Sequence, residues 1–164
     1  MRKLLSTALL VLLTGCVHLD KLEVVDHVDD HTDFAAIKTY TWAVGWPAGE
    51  LEQHKRIVDA INKELAAHSL TESANGHADV TVDYGVLWRT DGDLSVAGEV
   101  PDREIPSFPV MTLSVRVRDA GTGREVFTAR ADARVDAWGT VSPTILTTEV
   151  DRMFEHYPKP KSTP

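Results

Sequence analysis

The densest run of side chains able to do chemistry is Asp26-His27-Val28-Asp29-Asp30-His31-Thr32-Asp33. In an extended chain, alternation puts His27, Asp29, His31 and Asp33 on one side. Together they offer imidazole nitrogens and carboxylate oxygens, a ligand set for zinc or another divalent ion. The spacing matches no strong metal motif such as His-Glu-x-x-His, and the same residues serve as a solvated acidic connector between two strands. No metal and no cofactor is therefore assigned. Gly-x-Ser-x-Gly, the phosphate loop and the dinucleotide fingerprint are all missing from the sequence. His54, His68, His77 and His156 stand singly and read as capping, snorkelling or solvent-facing residues. Asp79 and Asp83, four apart on a strand, read as its wet face rather than as an acid pair. No catalytic residue is assigned, and the chain is not expected to be an enzyme.

The residue with a specific chemical expectation is Cys16, the only cysteine. Arg2 and Lys3 make a positive start, and the apolar run from Leu4 to Leu13 follows. A helix spanning a bilayer needs about 20 apolar residues, so this run suits a secretory signal instead. Leu13-Thr14-Gly15-Cys16 resembles the lipobox of bacterial lipoproteins. The resemblance implies that the thiol takes a diacylglycerol, that the signal (1–15) is cut before Cys16, and that the new amino terminus is acylated. Two or more chains give stable anchoring. Val17, in place of an aspartate, resembles an outer-membrane sorting context, so the expected place is the outer membrane, facing the periplasm.

Removing residues 1–15 from 164 leaves a length that suits one domain, expected over 22–158, after a tether at 16–21 and before a disordered tail at 159–164. The net charge of −8 becomes −10 once Arg2 and Lys3 leave with the signal. That balance argues against nucleic acid, whose binding needs a basic face. It also gives no polybasic grip on a membrane. With Cys16 used as the anchor, no disulfide can form, so the domain rests on its core alone.

The elements follow from periodicity. A first strand begins at Leu22-Glu23-Val24-Val25, and a second is expected over 37–42, Ile-Lys-Thr-Tyr-Thr-Trp. Gly45, Pro47 and Gly49 then break the chain. Leu51, His54, Val58, Ile61 and Leu65 follow helical spacing to about His68, with Ile57 widening the stripe. An exit loop at 73–76 leads to a strand from Ala78 to about Trp88. Residues 89–108, polar and broken by Gly92, Gly98, Pro101 and Pro106, read as a long loop, of a length usually functional or mobile. Strands at 111–118 and 125–135 flank a glycine-rich turn and read as an antiparallel hairpin. The alanines at 129, 131 and 133 suggest close packing by a helix. Ser142-Pro143 opens a second helix reaching towards Tyr157, with Ser142 as its cap. The expected fold is α+β: one mostly antiparallel sheet of about five strands, order β-β-α-β-β-β-α, with two helices on one face.

Thr32-Asp33-Phe34 with Lys38-Thr39-Tyr40-Thr41-Trp42, Ala78-Asp79-Val80-Thr81-Val82, the Asp119–Arg124 turn with Val126-Phe127, and Phe154-Glu155-His156-Tyr157-Pro158 together resemble one bacterial envelope lipoprotein family. It is known as domain of unknown function 4136. The resemblance spans about residues 20–158 and implies a lipid-anchored α+β envelope domain, with no functional residues to carry over. The 89–108 stretch departs from it, lacking glycine-rich, aromatic-punctuated character. Trp42 and Trp88 are expected to seal the core, whereas Trp46 and Trp138, in turns, are candidate partner contacts. Two functions are expected: a non-enzymatic interaction or scaffold module with an envelope protein partner, or a periplasmic binder of a small apolar or lipid-like ligand held between sheet and helices.

Overall fold

The structure, a computed structural model, describes residues 24–43, 49–92, 107–135 and 141–159. In chain order these form β1 (Val24–Val28), β2 (Thr39–Trp42), α1 (Leu51–Ala67), β3 (Thr71–Glu72), β4 (Val80–Gly92), β5 (Ser107–Asp119), β6 (Glu125–Arg134) and α2 (Pro143–Met153). The strands make one six-stranded sheet in the order β1-β6-β5-β4-β2-β3.

The sheet is mixed, which corrects the expected five-stranded and mostly antiparallel one. β1–β6, β6–β5 and β5–β4 pair antiparallel, but β2 pairs parallel with both β3 and β4. The cause is α1, which carries the chain from the end of β2 back past its start. Strands laid down after such a crossover run in the same direction as the strand before it. The two-residue β3 is short and polar, Thr71-Glu72, and offers no periodicity to read.

The hairpin of β4 and β5 reaches further than expected. Its register runs unbroken from Val80↔Asp119 to Gly92↔Ser107, so strand replaces loop at 89–92 and 107–108. The remainder of that loop lies outside the described residues. At the other end, Asp119 Oδ1 accepts bonds from the amide and hydroxyl of Thr122, each at 2.7 Å, and Gly123 closes the turn at φ 71°. A side chain with a Cβ is strained at that angle. We call this the turn end and the Gly92/Ser107 end the far end. β2, β4 and β6 run towards the far end, and β1 and β5 away from it.

Alternation sends Val80, Val82, Tyr84, Leu113, Val115, Val117, Phe127, Ala129 and Ala131 to one face, where all are buried. Both helices cover that face. α1 buries Ile57, Ala60, Ile61 and Leu65, a stripe turned away from Leu51, which is 79% exposed. α2 buries Leu146, Glu149, Val150 and Met153 and lies over β6 and β1, where the alanines leave room for it. It ends at Met153, not Tyr157; Phe154 and Tyr157 instead fold under as a turn against Phe127, with ring centroids 5.4 and 4.9 Å away. Ser142 stands at the N-cap of α2, but its side chain makes no capping bond.

Candidate functional site

The face of the sheet opposite the helices carries the polar members of the same alternation. Asp83, only 7% exposed, receives Arg116 Nε at 2.7 Å and Nη2 at 2.6 Å, and it also pairs with Arg118. Here one carboxylate sits between two guanidiniums. Nearer the far end the ratio reverses. Arg89 binds Asp91 through Nε at 2.8 Å and Asp132 through Nη2 at 2.6 Å, while Thr112 Oγ1 donates to Asp132 at 2.7 Å. Forked, charge-assisted pairing of this kind is directional and strong. The Arg89 guanidinium holds the Asp132 carboxyl below the usual carboxylate range. Between the two networks lie the small residues Gly85 and Ser114, paired across β4 and β5, with exposed Arg130 opposite Ser114 on β6. The chain is acidic overall, yet its open face is led by arginines.

The far end has a different character. Exposed large apolar residues among those described are Val25, Leu51, Leu87, Trp88 and Ile145. Leu51 opens α1 and Ile145 lies in the first turn of α2. Those two helix starts are neighbours: Glu50, Glu52, Gln53 and Arg56 line one small cleft together with Val141 and Leu146. Gln53 Nε2 lies 3.1 Å from Sδ of Met111, the cross-strand partner of Trp88, which puts the α1 start beside the far part of the hairpin. Leu87 and Trp88 lie on opposite faces of β4 there, past the end of β2 at Trp42, which pairs with Val82. Trp88, expected to seal the core, is 44% exposed because the helices do not extend over it.

The residues proposed as a metal set are not brought together. His27 belongs to β1, and the chain then turns at Asp30 and His31 instead of staying extended. It must cross from β1 at one edge to β2 beyond β4, four strand spacings or about 19 Å. Asp29 is used up locally, by Thr32, by the His31 amide at 3.4 Å and by Arg124. Bonding to Thr32, first of all, lowers its pKa. Asp33 Oδ1 accepts from the Ala35 amide at 3.1 Å. Among the described residues no cluster of His, Cys, Asp or Glu has the grouping of a metal site.

Cys16, Trp46 and Trp138 lie outside the described residues. Trp42 does support the core: its Nε1 donates to Asn62 Oδ1 at 3.1 Å, which also accepts from Tyr40 OH at 2.9 Å. His54, expected to cap or face water, bonds Tyr84 OH through Nδ1. His156 sits 3.1 Å from Asp26, which raises its pKa. The gap between sheet and helices is filled by Ile57, Ile61, Leu65, Phe127 and Phe154, each 1% exposed or less. An open surface groove between the helices, about 280 Å³, is lined by Arg56, Asp59 and Lys63 together with Ala60, Pro143 and Leu146. The arginine networks were missed because each charge looked like ordinary wet-face patterning. The signal available was the matching odd–even phase of Asp83 with Arg116 and of Arg89 with Asp132.

A family model described as "Domain of unknown function (DUF4136)" matches residues 24–159. No curated protein matches the chain. Among solved structures, a PDZ domain protein from Parabacteroides distasonis is similar at 15% identity and a TM-score of 0.55, over 82% of this chain and 35% of that one. The chain thus spans about a third of that protein's length. Two structures of the PelC dodecamer from Paraburkholderia phytofirmans are similar at 12% identity, with TM-scores of 0.52 and 0.53, over 81% of this chain and 94 and 95% of theirs. At such identities the likeness is one of fold alone.

Proposed function

Because the chain belongs to the DUF4136 family, a family of unknown function, we propose a role from its own residues: a lipid-anchored envelope module that recognises a partner and catalyses nothing. The observation that carries it is Cys16, placed after the basic start and apolar run and eight residues before the first described strand residue, Val24. In lipidation the Cys16 sulfur forms a thioether to the glyceryl carbon of a phospholipid. The carbon–oxygen bond to the phosphate head group breaks, and the thiol proton leaves with that head group.

The open sheet face supports the recognition half. Arg116 and Arg118 are held in place by Asp83 before any partner arrives, which lowers the ordering cost of association. An acidic or mixed-charge protein surface in the envelope is the partner that complements Arg116, Arg118 and Arg130. A second copy of this chain is one partner to examine, since PelC, which shares the fold, is described as a dodecamer.

Two experiments test the reading. Cells fed labelled palmitate should label the wild-type protein and not Cys16→Ala; equal labelling of both overturns the anchor. A photo-crosslinking residue at Ser114, on the open face, should give discrete adducts, to an envelope protein or to the chain itself. Diffuse low-yield adducts overturn the partner.

A further inference from the structure

The far end of the domain gathers four of the five large apolar side chains exposed among the described residues, Val25 on β1 being the fifth, and it is also the end from which β1 enters the sheet. β1 is antiparallel to β6, with Val24 opposite Ala131 and Val28 opposite Phe127. The chain therefore enters the sheet travelling from the far end towards the turn end. Residues 16–23 precede it, and eight residues reach at most about 28 Å. With Cys16 anchored, the bilayer lies within that distance of Val24, the residue at which β1 enters from the far end.

The surface presented on that side suits a lipid interface. Leu51 is 79% exposed, Leu87 62%, Trp88 44% and Ile145 40%. They come from three separate elements, the starts of α1 and α2 and the projecting part of β4, yet all surround the same end. Tryptophan and leucine with a polar surround are the residues that settle at the boundary of head groups and acyl chains. The turn end has the opposite composition, with Asp119, Thr122, Arg124 and Glu125. None of the large apolar residues exposed among those described lies there. The Arg89–Asp132 fork ties β4 to β6 at the base of the projecting hairpin, beside Leu87 and Trp88.

We infer that the far end of the domain lies against the bilayer, with Leu51, Leu87, Trp88 and Ile145 seated in the lipid interface and the turn end directed away from it. This rests on the anchoring of Cys16 proposed above. It adds what an anchor alone does not give, a fixed orientation that leaves the arginine face upright and accessible to the side. The chain is acidic, so apolar seating and not charge attraction supplies the contact, and zwitterionic lipid suffices.

The test uses the full-length lipidated protein in phosphatidylcholine vesicles containing a doxyl-labelled lipid. Single cysteines at Leu51→Cys, Leu87→Cys and Ile145→Cys carry an environment-sensitive fluorophore, with Ala120→Cys at the turn end as the comparison. The expected result is blue-shifted emission and several-fold stronger lipid quenching at the three far-end sites, and none at position 120. Unquenched far-end probes on protein that still floats with the vesicles overturn the orientation, leave the anchor intact and assign that end to a protein. Quenching at position 120 overturns it likewise. Protein that fails to float, with Cys16 still reactive to maleimide, removes the anchor and this orientation with it.

Discussion

Asp79 clasps Thr39 across 40 residues of sequence: its Oδ2 accepts from the Thr39 amide and from Thr39 Oγ1, each at 2.9 Å, and its own amide donates back to Oγ1 at 3.1 Å. The same oxygen accepts from the Lys38 amide at 2.9 Å. This pins the start of β2 beside β4 at their parallel junction. Asp79→Ala should cost about 1 kcal/mol, the ordinary net worth of such bonds at an exposed position, read from urea unfolding midpoints. The backbone bonds hold the carboxyl below its usual range of 3.8. Its contribution is thus present above that value and lost as pH falls through the lower folded one. A variant as stable as wild type at pH 7 contradicts the clasp.

The fork from Arg89 to Asp132 should govern the far part of the hairpin. Among the described residues no strand flanks the β4–β5 pair beyond Arg134, so side-chain bracing supplements the β4–β5 ladder there. Asp132→Asn keeps the shape but weakens the charge-assisted bonds. Amide hydrogen exchange at 89–92, 107, 108 and 110 should quicken several-fold, with β1 and α2 unchanged. Uniform quickening across the sheet would mean that Asp132 stabilises the whole fold and not the arm.

These two contacts also mark how far the sequence could be read. The helices, the hairpin and the strands at Val80 and Glu125 declared themselves because an apolar stripe at a fixed period must be buried somewhere. The parallel junction did not. β3 is only Thr71-Glu72, and nothing local in Thr39–Trp42 says that its neighbour lies beyond a helix. The extended reach of β4 was hidden because Arg89 and Asp91 look like loop residues until Asp132 is seen opposite. The supposed ligand set failed for a related reason: alternation over 26–33 assumed a straight strand, and the need to cross the sheet bends it. Exposure of Trp88 depends on how far α1 extends over the hairpin, which composition does not encode.

Tyr157 presents a sharper test of packing. Its ring meets Phe34, Phe127, Phe154 and His68 at centroid distances of 5.4, 4.9, 5.7 and 5.0 Å, while its buried hydroxyl has no hydrogen-bond partner among the described residues. Burial pushes the hydroxyl pKa up to about 12. Tyr157→Phe removes an unsatisfied polar atom and keeps the ring, so stability should be unchanged or up to about 1 kcal/mol higher. Tyr157→Ala opens a cavity in the same cluster and should cost about 3–5 kcal/mol. Thermal or urea unfolding of the pair reads both, and a destabilised Phe variant would show that the hydroxyl has a partner after all.

His68 makes the fold sensitive to mild acid. It is 7% exposed at the C-cap of α1, its ring tilted against Phe154 and edge-on to Tyr157, and its buried Nδ1 has no partner among the described residues. Burial, and then the charge of Lys159, lowers its pKa from 6.5. The folded state therefore binds this proton less readily than the unfolded chain does. Stability from the neutral ring is present above 6.5 and is lost as pH falls from there towards the lower folded value. His156 has the opposite sign, since Asp26 raises its pKa, so that contribution is present below 6.5 and fades as pH rises through the folded value. It sits on the surface, where screening keeps such a pair weak, so His68 should dominate the net slope. Unfolding midpoints followed from pH 7 to pH 5 should fall for wild type and stay nearly level for His68→Phe, which fills the site without a titrating group. Asp29, Asp79, Asp119 and Asp132, all held below 3.8, add a separate loss at lower pH. That lower step should persist in the variant, and its disappearance together with the upper one would show that His68 was not the group being titrated.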